Sequence, residues 1–120
     1  LKANTEQRLL TAIIKGLEEK KAYDIKVLDL KNIDTSVCNY FVVCHGTSTT
    51  QVGALAEAVI DQTMTDANEK PHHREGFDNC LWILLDFGDI VVHVFEESQR
   101  GFYKLEELWA DAHTVHINHN

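Results

Sequence analysis

The chain is 120 residues long with a mass of 13.7 kDa, the size of one domain and too short for two independent cores. Its composition, 44% hydrophobic and 25% charged with a single Pro and six Gly, excludes collagen-like, linker-like and low-complexity classes. Eleven Lys and Arg against 19 Asp and Glu leave a net charge of −8 with His neutral, which repels naked nucleic acid at long range and favours a basic protein partner.

Residues 5–22 carry Leu9, Leu10, Ile13, Ile14 and Leu17 at helical spacing, with Asn4 or Thr5 as the cap and Lys20–Lys21 at the C-terminal end. Asp24–Leu30 alternates apolar and polar residues and is predicted to be a strand. Asn39–His45 holds the run Tyr40, Phe41, Val42, Val43, Cys44, apolar on both faces as in a buried strand, and Gly46 ends it. Thr47, Ser48 and Thr49 then precede Val52, Leu55, Ala56, Val59, Ile60 and Met64 at helical period, which predicts a second helix over residues 49–67. A loop around Pro71 follows, with a short strand near His73–Glu75. Leu81–Asp86 and Ile90–Phe95 flank Phe87-Gly88-Asp89 and read as a hairpin. Lys104–Ala112 reads as a short helix bearing Leu105, Leu108 and Trp109. The expected architecture is a single α+β domain over residues 1–112, a small mixed β-sheet flanked by helices. Residues 113–120 are expected to form a polar, disordered tail.

Cys38, Cys44 and Cys80 are odd in number, and their spacings fit neither a zinc knuckle nor a disulfide framework. They read as reduced thiols of a cytoplasmic protein. The longest apolar stretches fall well short of the roughly 20 residues of a membrane helix, so no membrane association is expected.

Candidate chemistry is sparse. Gly46-Thr47-Ser48-Thr49-Thr50 lies between a strand and a helix, where anions bind, but it lacks the Lys of a phosphate-binding loop, and helix capping is the simpler explanation. Asp86-Phe87-Gly88 matches the kinase magnesium tripeptide by accident, since no glycine-rich loop accompanies it. Asp86 and Asp89 straddle a turn instead of converging as a two-metal pair does. Seven histidines include His113, His116 and His119 in the tail, a spacing without the packed support that a metal site needs. No metal and no cofactor is expected. Along Leu81–Asp86, Leu81, Ile83 and Leu85 form one aliphatic face, and Trp82, Leu84 and Asp86 form the other. Trp82 is either a partner-binding anchor on a half-exposed face or a core residue under a second layer of helix. The segment after the last strand reads as a helix docked on the sheet, with Arg100 pairing structurally to an acid.

Several segments together resemble one family. They are Asn39-Tyr40-Phe41-Val42-Val43, Gly46-Thr47-Ser48 with Gln51-Val52, Glu75-Gly76, the run from Trp82 to Phe95, Arg100-Gly101-Phe102-Tyr103, and Leu105-Glu106-Glu107-Leu108-Trp109. In this order they look like the ribosomal silencing factor family, also called RsfS or iojap, over nearly all of residues 5–111. That family usually has Asp at the position of Asn39 and often Arg at that of Thr50. The resemblance implies a fold similar to nucleotidyltransferases without their activity, hence no enzyme. It implies binding to ribosomal protein L-fourteen on the large ribosomal subunit, with no direct nucleic-acid requirement. Bound there, the factor sterically blocks joining of the small subunit and represses translation. Matching motifs carries the partner-binding role to Trp82, Leu84 and Asp86, with Asp89 and Glu75 nearby. An exposed apolar sheet face also favours a homodimer when no partner is present. The rival hypothesis is a small metal-dependent nucleotidyltransferase using Gly46–Ser48 and the acids Asp86 and Asp89.

Overall fold

A computed structural model describes residues 2–33, 36, 38–109 and 112–117. The elements run α1 (Lys2–Glu19), β1 (Tyr23–Asp29), β2 (Tyr40–Gly46), α2 (Thr49–Ala67), β3 (His73–Glu75), β4 (Trp82–Asp86), β5 (Ile90–Glu96), α3 (Glu97–Tyr103), α4 (Leu105–Leu108) and β6 (His113–His116). The six strands form one sheet in the order β3-β4-β5-β2-β1-β6. Only β2 and β5 pair in parallel; the other pairs are antiparallel. This is the mixed α+β sheet expected from the sequence.

Local signals set the element limits. Helix α1 ends with Lys21 at φ +62, where the Lys21 N–H bonds to Glu18 O and the Ala22 N–H to Leu17 O, satisfying carbonyls the helix leaves open. Ser48 caps α2, its side chain accepting the Gln51 N–H at 3.1 Å, and Asn68 closes it in the left-handed region. In β1 the register shifts between Tyr23 and Lys26, and Asp24 sits at φ +50.

The sheet has two unequal faces. On one, α1 and α2 cover Ile25, Val27, Val42, Cys44, Ile83, Leu85, Val92 and Val94, closing the main core with Leu9, Ile13, Leu17, Leu55 and Val59. Each such fully buried aliphatic side chain contributes about 1.5–3 kcal/mol. The thiol of Cys44 lies at the centre of that core, fully buried. The opposite face holds a smaller cluster of Leu28, Leu30, Cys38, Val43, Phe95 and Leu105.

Three expectations are corrected. Residues His113–His116 are not a frayed polar tail. They form β6, paired antiparallel with β1 from Lys26–His116 to Asp29–His113, and the Ile117 N–H donates to Ile25 O. Pairing at a sheet edge runs through the backbone and leaves polar side chains pointing outward, so composition conceals it. His119 and the rest of 118–120 lie outside the described residues. The helix read over Lys104–Ala112 is reduced, among the described residues, to the four-residue α4, and a separate short helix, α3, precedes it directly after β5. Lys104, at φ +50, breaks the path between them, its N–H still bonded to Arg100 O. Finally, α1 begins at Lys2, so Asn4 and Thr5 lie within its first turn instead of capping it.

Two glycines make opposite predictions of magnitude. Gly76, at φ +92, passes so close to β4 that an added Cβ would lie 2.0 Å from Trp82 O; Gly88, at φ +93, has only the His72 ring at 3.5 Å. Gly76→Ala should therefore destabilise by about 3 kcal/mol or more, combining backbone strain and overlap. Gly88→Ala should cost about 1 kcal/mol from backbone strain alone. Urea denaturation of both variants checks this, and equal losses would contradict the close-approach argument.

Candidate functional site

The face without α1 and α2 is built by strand register. Partners across a ladder project to the same side. One row therefore runs His73, Asp86, Val91, Phe41, Leu28, and the next runs Glu75, Leu84, His93, Val43, Lys26. Trp82 and its partner Phe95 begin a third. Trp82, Leu84 and Asp86 are half-buried, alternating with the fully buried Ile83 and Leu85, so the two faces of β4 separate as the alternation implies. Glu75 joins them directly opposite Leu84.

Trp82 is neither bare nor enclosed. Its ring lies 4.8 Å from Phe95 and 4.7 Å from Tyr103 between centroids, and the rest faces outward. Tyr103 and its neighbour Phe102 are 44% and 77% exposed, extending the aromatic strip onto α3. A helix of seven residues holds its place because Arg100, 7% exposed, reaches the start of β1 and the end of β2. Its Nη1 donates to Asp24 O at 2.8 Å and meets His45 Nδ1 at 3.0 Å, while Nη2 lies 3.5 Å from the Asp24 carboxylate. The expected structural role of Arg100 thus has Asp24 as its acid. At the other end of the face, Phe41 packs edge-on against Trp109 at 5.7 Å.

The acids are arranged unevenly. Asp86 Oδ1 accepts the Gly88 N–H at 2.8 Å, so this carboxylate shapes the hairpin turn while standing in line with Trp82 and Leu84. Glu75 contacts His73 at 2.6 Å. The Asp89 carbonyl accepts the Asn39 and Tyr40 N–H groups, and the residue lines a hollow with Thr5, Glu6, Leu9, Glu69 and Phe87. Asn39 donates from its side-chain amide to Glu6 at 2.7 Å, a contact that the Asp usual in the resembled family would not make.

The Gly46–Thr50 loop between β2 and α2 is occupied by its own contacts. The Thr47 N–H donates to Gln51 Oε1 at 2.8 Å, Ser48 accepts from the Gln51 N–H, and Gln51 Nε2 reaches Lys21 O. Among the described residues, no three His, Cys, Asp or Glu converge as metal ligands, and no helix is long and apolar enough to cross a membrane.

His93 was not marked by sequence reasoning as part of this face. It is 4% exposed beneath Trp82 and Phe41, and Trp82 Nε1 donates to its Nδ1 at 3.1 Å. Burial pushes its pKa down to about 4. The sign of the pH effect follows. Above pH 6.5 the ring is neutral in both folded and unfolded chains, and nothing is lost. Between 6.5 and about 4 the unfolded chain takes up a proton that the folded one refuses, so stability falls with pH. His93→Phe should remove about 3 kcal/mol of that acid sensitivity. Melts of both proteins at pH 7 and pH 4 measure it, and identical pH slopes would refute it.

Comparison with known proteins identifies the family and the fold. Residues 3–120 match the family profile described as "Ribosomal silencing factor during starvation". The chain is 42% identical over 108 residues to ribosomal silencing factor RsfS of Bacillus subtilis, covering 89% of each chain. It is 33% identical over 109 residues to the chloroplastic protein Iojap of Zea mays, covering 88% of this chain and 45% of that one. A crystal structure from Chromobacterium violaceum superposes with a TM-score of 0.80 at 35% identity, covering 87% of this chain and 85% of that one. Another from Bacillus halodurans gives 0.79 at 35% identity, covering 92% and 99%. With its profile, its relatives and its fold in accord, this chain belongs to the ribosomal silencing factor family.

Proposed function

We propose that the chain docks on ribosomal protein L-fourteen of the large ribosomal subunit through the face carrying Trp82, Leu84 and Asp86, and so keeps the small subunit from joining. The observation that carries this reading is the half-exposed apolar row on the side of the sheet that α1 and α2 leave uncovered. Family membership supports the ribosome as the target. The net charge of −8 suits a basic ribosomal protein. Occupancy alone performs the work, so the protein acts as a translation repressor and not an enzyme, and it acts in the cytoplasm on this reading. Glu75 flanks the apolar row, while Asp89 belongs to the rim on the side of α1. In the free chain the same row favours pairing with a second copy.

Two substitutions test the face by co-sedimentation with isolated large subunits. A Trp anchor contributes about 2 kcal/mol or more, so Trp82→Ala should weaken binding by about 30-fold or more while the fold persists. Undiminished binding by the folded variant would overturn the reading. Asp86→Asn keeps an acceptor for the Gly88 N–H and removes the charge. It should melt near the wild type and bind about tenfold more weakly, because an acid beside an apolar anchor is partly desolvated on docking. A large drop in melting temperature would make Asp86 a turn residue only.

The rival nucleotidyltransferase needs convergent acids and a free phosphate loop. Asp86 is engaged with the Gly88 N–H while Asp89 lines the hollow beside α1, and the Thr47–Thr49 loop is spent on capping. Calorimetric titration with nucleoside triphosphates and magnesium should therefore show no micromolar binding and no turnover; either would restore the enzyme hypothesis.

A further inference from the structure

We infer that His93 is the positioning residue of the docking face: it accepts the indole N–H of Trp82 and fixes the ring in the orientation that the partner meets. The inference rests on the docking reading above. Three observations carry it. The Trp82 Nε1 to His93 Nδ1 distance is 3.1 Å, a direct hydrogen bond across the β4–β5 ladder. Indole nitrogen only donates, so His93 Nδ1 must accept, and the ring is the neutral tautomer with its proton on Nε2. That Nε2 is buried with no hydrogen-bond partner among the described groups. Leaving a buried donor unpaired is costly, and the arrangement keeps a polar ring where Leu or Phe would pack without that cost.

The geometry explains what the histidine adds. Phe95 and Tyr103 bracket the indole by ring packing, which limits tilt but tolerates a flip about χ2. A single directional bond at Nε1 selects one of the two orientations. Phe41, packed edge-on to His93 at 4.6 Å, holds the imidazole in turn. An anchor already held in its bound orientation loses less freedom on docking, and that difference appears in affinity.

The test uses the full chain with isolated large subunits, beside Trp82→Ala. His93→Phe fills the site and removes the acceptor; His93→Asn places an amide oxygen near the position of Nδ1. His93→Phe should weaken binding about fivefold, the effect of freeing one side chain, and His93→Asn should bind within about twofold of the wild type. In the free protein, the Trp82 indole N–H resonance, assigned by its loss in Trp82→Ala, should exchange slowly with solvent in the wild type and His93→Asn and quickly in His93→Phe. Replacing Trp82 by benzothienylalanine deletes the donor without touching the core, and should weaken binding as His93→Phe does. Wild-type affinity in both the His93→Phe and benzothienylalanine proteins, or equal loss in His93→Asn and His93→Phe, would overturn the positioning role while leaving the docking face intact. Failure of the wild type itself to bind would overturn both.

Discussion

All of β2 is paired in parallel with β5, from Tyr40–Ile90 to Gly46–Glu96, and the remaining architecture answers to that pairing. Parallel neighbours cannot be joined by a tight turn. After β2 the chain must leave the sheet, cross it and return, and it does so through α2, β3 and β4 before reaching β5. The crossing lays α2 beside α1 over one face, where the larger core forms. The other face receives only α3 and α4, of seven and four residues, which are too short to cover it. The half-exposed row on that side is therefore a result of topology, not a local accident of composition.

On the proposed docking, the value of this surface lies in parts that are already ordered. Trp82 rises from β4 and touches Phe95, Tyr103 and His93 within the free chain. The neighbouring α3 is tied to the start of β1 by a buried guanidinium. Recognition groups on rigid elements lose little freedom on binding. Asp86 stands in the row and Glu75 beside it, so on the proposed docking one acid would be partly desolvated while the other would steer encounter from the rim.

The sequence displays the strands well because their periods are clean. The apolar run Tyr40–Cys44 and the alternation Trp82–Asp86 correspond to the buried strand and to the strand with two unlike faces. Gly88 between two such runs marks the hairpin, and Ser48 marks the start of α2. Three features lack a local signal. β6 is held by backbone pairing and carries two histidines, so its composition resembles a loop. The break between α3 and α4 falls on Lys104, a residue that gives no warning of positive φ. His93 lies eleven positions from Trp82, and only the β4–β5 register brings the two rings together. That Asp89 lines the hollow beside α1 likewise depends on the hairpin geometry, not on its spacing from Asp86.

The burial of Cys44 has a chemical corollary. A thiol attacks as the thiolate, and burial pushes Cys44 up to about 12, so in the folded chain it presents almost no reactive form to any reagent. Cys38, 7% exposed, is also shifted upward by burial, while Cys80 is partly open at the surface. The three sulfurs are thus graded by depth. An alkylating probe meets Cys80 in the native protein, Cys38 when the loop before β2 loosens, and Cys44 only when the central strand leaves the sheet. With reagent concentrated enough to outpace reclosing, the rate at which Cys44 is modified becomes the opening rate of the core, and the chain carries that clock within its own sequence.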